Sequence, residues 1–197
     1  MSATAGSGLL LAPGAGAGRD QPALVAIEEA LEPHGVAVER MDFPYRRAGR
    51  RAPDRPPVLL AAVREAAAGL AATAGLPTGR VALGGRSMGG RICSMAVADG
   101  LACLALVLVS YPLHPPGRPE KRRDEHFGRL TVPCLFLSGT RDAFATPAEL
   151  EEATAAVPGP VTHVWLDGAD HGLRRRDNEV AITVARWLVP LTAVPST

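Results

Sequence analysis

A serine set between glycines is the part of this chain whose residue types and spacing most directly invite chemistry. Gly85-Arg86-Ser87-Met88-Gly89 matches G-x-S-x-G. Val81 to Leu83 before it reads as a short buried strand, and Ile92 to Ala98 after it suits a helix. A strand that turns at once into a helix holds the central residue in a strained, exposed conformation. Glycines two before and two after let the backbone pass close to its neighbours. The serine oxygen then stands at a helix N-terminus, where free amides stabilise negative charge. With 21 glycines in the chain, the glycine spacing alone is weak, and the strand-then-helix context is what raises it. No G-K-[ST] follows, so a P-loop is excluded.

A serine nucleophile needs a base, and imidazole has the right pKa. The imidazole needs a carboxylate to hold its tautomer and stabilise its charged form. Two later strand-end loops supply these groups: Asp142 in Ser138 to Asp142, and His171 in Asp167 to Gly172. Taken singly, Asp142 reads as a turn or cap residue and His171 as a solvated histidine. Asp167 and Asp170 are rival carboxylates, but sequence neighbours of His171 are poorly placed to orient its ring. The candidate catalytic residues are therefore Ser87, Asp142 and His171. An oxyanion needs two preorganised amides. Met88 N–H, just after the serine, is one. The other is expected from Pro13 to Gly18, with Ala15 first and Gly16 next. Candidate substrate contacts are Gly14, Gly16, Arg86, Tyr111 and His114. His114 reads more readily as a structural loop histidine. Arg86, Arg91 and Arg174 to Arg176 suit an anionic substrate, or a solvated surface with local salt bridges.

These groups require elements to position them. Gly8 to Ala12, Val36 to Phe43, Val81 to Leu83, Leu104 to Val109, Val132 to Leu137 and Val161 to Leu166 read as strands. Helices are expected from Pro22 to near Pro33-His34-Gly35, Val58 to Ala74, Ile92 to Ala98, Pro147 to about Ala156 and Asn178 to Val189. Tyr45 to Pro57 reads as a basic loop, and Glu120 to Arg129 as a charged segment with helical character. Residues 1–7 are expected to fray. Alternating elements with continuously apolar strands predict an α/β fold, a six-stranded, mostly parallel sheet covered on both faces. Ligands in such sheets bind beyond the C-terminal strand ends. A dinucleotide site after the first strand is disfavoured. The glycines read G-x-G-x-G, and Glu39 lies inside the second strand instead of at its end.

Composition bounds the rest. The 197 residues suit one domain, 1–197, and 47% hydrophobic with 21% charged residues is a globular balance. A net charge of +1 and 4% aromatics point to no nucleic-acid partner. Cys93, Cys103 and Cys134 are never at C-x-x-C spacing and read as core residues in a reducing compartment. No signal segment and no run of membrane-span length is evident, so a cytoplasmic location without membrane contact is expected. No cofactor and no metal is implied, and the oligomeric state stays open.

The chain resembles the α/β-hydrolase superfamily, and within it the compact, lidless dienelactone-hydrolase-like group. That group is related to the hydrolase-like region of a histone-acetyltransferase-complex subunit. The resemblance rests on Leu11 to Gly16, Gly84 to Arg91, Tyr111 to Gly117, Gly139 to Asp142 and Gly168 to Gly172, and on the chain order Ser, Asp, His. It implies a three-layer α/β/α sandwich, a minimal core without the N-terminal hairpin, and strand order 4-3-5-6-7-8 in superfamily labels. It departs in carrying Pro13-Gly14 where many hydrolases have His-Gly, and Ser87 where dienelactone hydrolases have cysteine. The expected function is serine hydrolysis of a small acyl ester or thioester. The alternative is a catalytically silent fold acting as an interaction module, supported only by the basic stretch Arg46 to Arg55.

Overall fold

The computed structural model describes residues 6–193. Six strands form one sheet: β1 (Ser7–Ala12), β2 (Val36–Arg40), β3 (Val81–Arg86), β4 (Leu106–Val109), β5 (Cys134–Gly139) and β6 (Val161–Leu166). The helices are α1 (Pro22–Leu31), α2 (Pro44–Arg47), α3 (Pro56–Ala74), α4 (Met88–Ala98), α5 (Pro147–Thr154) and α6 (Asp177–Thr192). Strand order is β2-β1-β3-β4-β5-β6, every pair parallel, as the expected order requires. Because side chains alternate along a strand, each central strand feeds two cores. Leu9, Leu11, Val107, Val109, Leu135 and Leu137 pack on one face with Leu24 and Ile27 of α1 and Val180 and Val184 of α6. Leu10, Leu83, Leu106, Leu108 and Phe136 pack on the other with α3, α4 and α5. This explains why the strands read as unbroken apolar runs.

The sequence placed most boundaries within a few residues. Thr146 caps α5 in a full capping box with Glu149, whose carboxyl is held down by its bonds to the Thr146 backbone and hydroxyl. Four expectations need correction. Residues 1–5, expected to fray, lie outside the described residues, but Ser7 is buried and paired with Val36 as the first residue of β1. Tyr45 does not belong to a solvated loop: Pro44 presets a helical turn, and the ring is fully buried, stacked on Phe43. Glu120 to Arg129 is not helical apart from a 3-10 turn at Phe127–Arg129. There Arg122 turns locally onto Asp124, and the Arg123 carbonyl is taken by the Tyr111 hydroxyl at 2.6 Å, so it is not free for a helix ladder. Finally, α3 is 19 residues long with mean hydropathy 1.3, long and apolar enough to cross a membrane by length and composition. Its Leu59, Val63, Ala67 and Leu70 are instead buried against the sheet side of the core.

The chain leaves β1 to one side to form β2, then returns to the other side to form β3. Loops after β1 and β3 therefore diverge at their C-terminal ends and open a crevice between them. Both the glycine-rich loop and Ser87 lie there.

Candidate active site

The strand-to-helix turn at Ser87 has φ 50° and ψ −117°, a conformation L residues avoid. It is anchored by Ser87 N–H donating to Val109 O of β4 at 2.8 Å. The glycine at 89 has a concrete reason: a Cβ there would stand 2.1 Å from the Ala12 carbonyl oxygen of β1. The helix begins at Met88, four residues before the Ile92 start read from its apolar pattern, so its free amides start directly after the serine.

His171, in the loop after β6, reaches back past β5 and β4 to the end of β3. Its Nε2 lies 2.9 Å from Ser87 Oγ, and its Nδ1 lies 2.8 and 3.0 Å from the two Asp142 oxygens. Asp142 is 3% exposed at the end of β5, and its Oδ1 also accepts the Phe144 N–H at 2.8 Å. The Phe144 ring stacks on the imidazole at 4.0 Å. Arg86 Nη2 donates to the His171 carbonyl at 2.6 Å, tying the histidine loop to the serine strand. Asp170 is exposed and accepts Gly172 N–H at 2.8 Å, so it shapes the loop without touching the ring. Asp167 instead accepts from Thr140 Oγ1. A second serine–histidine contact, Ser94 with His126 at 2.8 Å, is fully enclosed, and the Ser94 hydroxyl donates to Arg91 O.

Gly14 to Ala17 forms a turn, with Ala17 N–H on Gly14 O and Gly16 at φ 76°. Gly16 N–H donates to Tyr45 Oη at 3.1 Å and Gly14 N–H to Gln21 Oε1 at 3.0 Å. Ala15 N–H and Met88 N–H are thus left without an acceptor among the described residues. Gly16, the second choice for this donor, is committed elsewhere.

Ser87 opens into a cleft of about 500 Å³. Gly14, Ala15, Arg86, Met88 and His171 line it as expected, and so do Gln21, Arg91, Pro112, Arg123 and Phe144. Tyr111 and His114 do not, which corrects their assignment as substrate contacts. Tyr111 is 1% exposed, its ring against Phe127 and Phe136, and burial pushes its hydroxyl pKa up. His114 is buried with Nδ1 on Pro115 O and Nε2 near Glu149. Gly16 also lies outside the lining. Arg174 and Arg175 are exposed, and Arg176 pairs with Glu179, all three away from the cleft. Glu39 borders a separate cleft of about 350 Å³ with Arg40 and Arg47. Among the described residues, no three His, Cys, Asp or Glu side chains are grouped to hold a metal ion. Cys93, Cys103 and Cys134 are free, and burial raises all three thiols, Cys103 and Cys134 to about 12.

Sequence reasoning missed Tyr45, Gln21, Phe144 and Arg123. Phe144 was accessible, two residues from Asp142. Gln21 sits where α1 begins, within reach of the glycine loop. Tyr45 and Arg123 carry no local signal, because their partners are 29 residues away or face them only across the cleft.

Residues 5–187 match the family described as Alpha/beta hydrolase domain. Among solved structures, Est1E from Butyrivibrio proteoclasticus superposes with TM-score 0.80 at 15% identity, covering 98% of this chain and 91% of that one. An alpha-beta serine hydrolase homologue from Coxiella burnetii gives 0.75 at 17%, over 93% and 85%. A dienelactone hydrolase from Anabaena variabilis gives 0.71 at 21%, over 94% and 84%. These show the shared fold. Epoxide hydrolase A of Mycobacterium tuberculosis is 35% identical over 63 residues, 32% of this chain and only 20% of that protein. The relation to a histone-acetyltransferase-complex subunit rests on the sequence resemblance alone.

Proposed function

The chain belongs to the α/β-hydrolase family, and from that premise we propose that it is a serine hydrolase cleaving a small ester or thioester through an acyl-enzyme on Ser87. The observation that carries this reading is the imidazole of His171 held between Ser87 Oγ and the Asp142 carboxylate. Nδ1–H donates to Asp142, which leaves the Nε2 lone pair facing the serine hydroxyl. As Oγ attacks the acyl carbonyl carbon, Nε2 takes its proton. The carbonyl π electrons move onto oxygen, where Met88 N–H and Ala15 N–H stabilise the developing charge. Collapse breaks the bond to the leaving alkoxide or thiolate, which takes the proton from Nε2–H. Water then repeats the sequence: His171 accepts its proton, hydroxide adds to the acyl carbon, and Ser87 leaves with the proton returned.

Arg86 and Phe144 are positioning residues here, one on the His171 carbonyl and one on its ring. The His171 side chain is 21% exposed, so the relay is reachable from solvent. A silent interaction module is less well supported. In the basic stretch Arg50 pairs with Asp54 and Arg46 donates to the Arg50 carbonyl, so the charges are partly self-engaged. The test is labelling with a fluorophosphonate probe. Wild type should label, and Ser87→Ala and His171→Ala should not. Absence of labelling in folded wild type would refute an activated serine.

A further inference from the structure

The hydrolytic reading leaves one feature of the cleft unexplained: its charge. Arg86, Arg91 and Arg123 line the cavity, and among the described residues no aspartate or glutamate does. Arg86 is engaged with the His171 carbonyl. The other two are not comparably satisfied. Arg91 Nε is buried without a hydrogen-bond partner. Arg123 makes one long 3.5 Å contact, to the Pro112 carbonyl. Of the nearby acids, Asp124 pairs with Arg122, and Glu125 is exposed and favours the Arg123 charge less than burial and Arg91 oppose it. The two cations feel each other directly. Burial first and Arg91 second make the Arg123 guanidinium less willing to hold its charge, and the same pair of causes pulls His126 down to about 4.

A buried guanidinium N–H with no acceptor, beside a second cation and with no carboxylate in the cleft lining, is an unstable arrangement unless something completes it. A planar fork of donors suits a carboxylate or phosphate oxygen pair. The position is also informative. Arg91 follows Ser87 by one helical turn, its N–H donating to Ser87 O at 3.1 Å. Both side chains line the same cleft. An anion on Arg91 therefore shares the cleft with the attacking oxygen.

We infer that the cleft takes esters bearing an anionic group, a carboxylate or a phosphate, held between Arg91 and Arg123 next to the scissile carbonyl. This rests on the serine-hydrolase reading. The kinetic test compares p-nitrophenyl hemisuccinate with its neutral isostere p-nitrophenyl 4-methylpentanoate, subtracting the rate in Ser87→Ala. Wild type should favour the anionic ester in kcat/KM. Arg91→Gln should reduce the anionic-to-neutral ratio by about 10- to 100-fold, the loss of a charge-assisted bond. Arg174→Gln, an exposed cation outside the cleft, should leave the ratio alone.

A binding test needs no turnover. Succinate and inorganic phosphate are titrated calorimetrically into Ser87→Ala with and without Arg91→Gln. Arg91-dependent binding of one or the other supports the inference and tells which oxyanion the site fits. Anion binding without hydrolysis of either ester would sink the hydrolase reading and keep the anion site. Hydrolysis of both esters with a ratio indifferent to Arg91 would sink the anion site alone. Neither binding nor hydrolysis would overturn both.

Discussion

Replacing Asp142 by asparagine tests the relay at the atom where its direction is set. In the native site Asp142 Oδ1 accepts the Phe144 N–H at 2.8 Å, while Oδ2 is the nearer acceptor for His171 Nδ1, also at 2.8 Å. Asparagine has one oxygen and one NH2. The Phe144 N–H can be satisfied only by the oxygen, so the NH2 must face Nδ1. Two donors cannot share that contact, and the imidazole moves its proton to Nε2. Nε2–H then donates to Ser87 Oγ where it should accept. Geometry is retained and the base is lost. The expected fall in kcat/KM is about 10³- to 10⁴-fold, equivalent to ~4–5.5 kcal/mol of transition-state stabilisation. The assay is steady-state hydrolysis of p-nitrophenyl acetate from pH 6 to 10, with circular dichroism and a urea midpoint to show that the variant is folded. Because the site is preassembled, the midpoint should stay close to that of wild type while activity collapses. A folded variant retaining more than about a tenth of wild-type kcat/KM would refute the reasoning, since a wrong tautomer costs far more than tenfold.

Three further outcomes are expected. Tyr45→Phe leaves Gly16 N–H without its acceptor and loosens the turn that carries Ala15. Stability should fall by about 1 kcal/mol and kcat several-fold with KM nearly constant, and an unchanged kcat would disconnect Tyr45 from the site. Gly89→Ala would press a Cβ onto the backbone carbonyls of Ala12 and Pro13, at 2.1 and 2.6 Å, so it should lower the urea midpoint and abolish probe labelling. Gly79→Ala meets nothing within 4 Å and serves as the control. His126 is held to about 4 in the folded protein by burial and by Arg91. Its ordinary value is near 6.5, so below that pH the unfolded chain binds a proton that the folded one refuses. The stability present above pH 6.5 should drop by about 2–3 kcal/mol by pH 4.5. In His126→Gln, which keeps a hydrogen-bonding side chain beside Ser94, that share of the acid loss should vanish. Identical urea midpoint shifts between pH 7 and 4.5 in the two proteins would contradict the assignment.

What could be read from the chain alone depended on whether the determining physics was local. The serine elbow was legible because its constraint is written in adjacent residues: only glycine at 89 lets α4 approach β1. The parallel sheet was legible because strands buried on both faces must be apolar without interruption. The start of α5 at Pro147 was legible because proline at the first helical position is a local signal. Asp142 and His171 were legible as candidates because each ends a recognisable strand. Tertiary structure alone decided that His171 points at Ser87 and that Asp170 points away. It sent Tyr111 and His114 into the interior, because residues leaving a strand are divided between core and cleft by packing against elements distant in sequence. It brought Tyr45 under the glycine loop, Oη to Gly16 N–H, and set Arg123 in the field of Arg91. Neighbouring residues cannot encode such pairings. A side chain's direction at a strand end is settled by which distant surface it can bury against or bond to, and that surface exists only once the sheet is assembled.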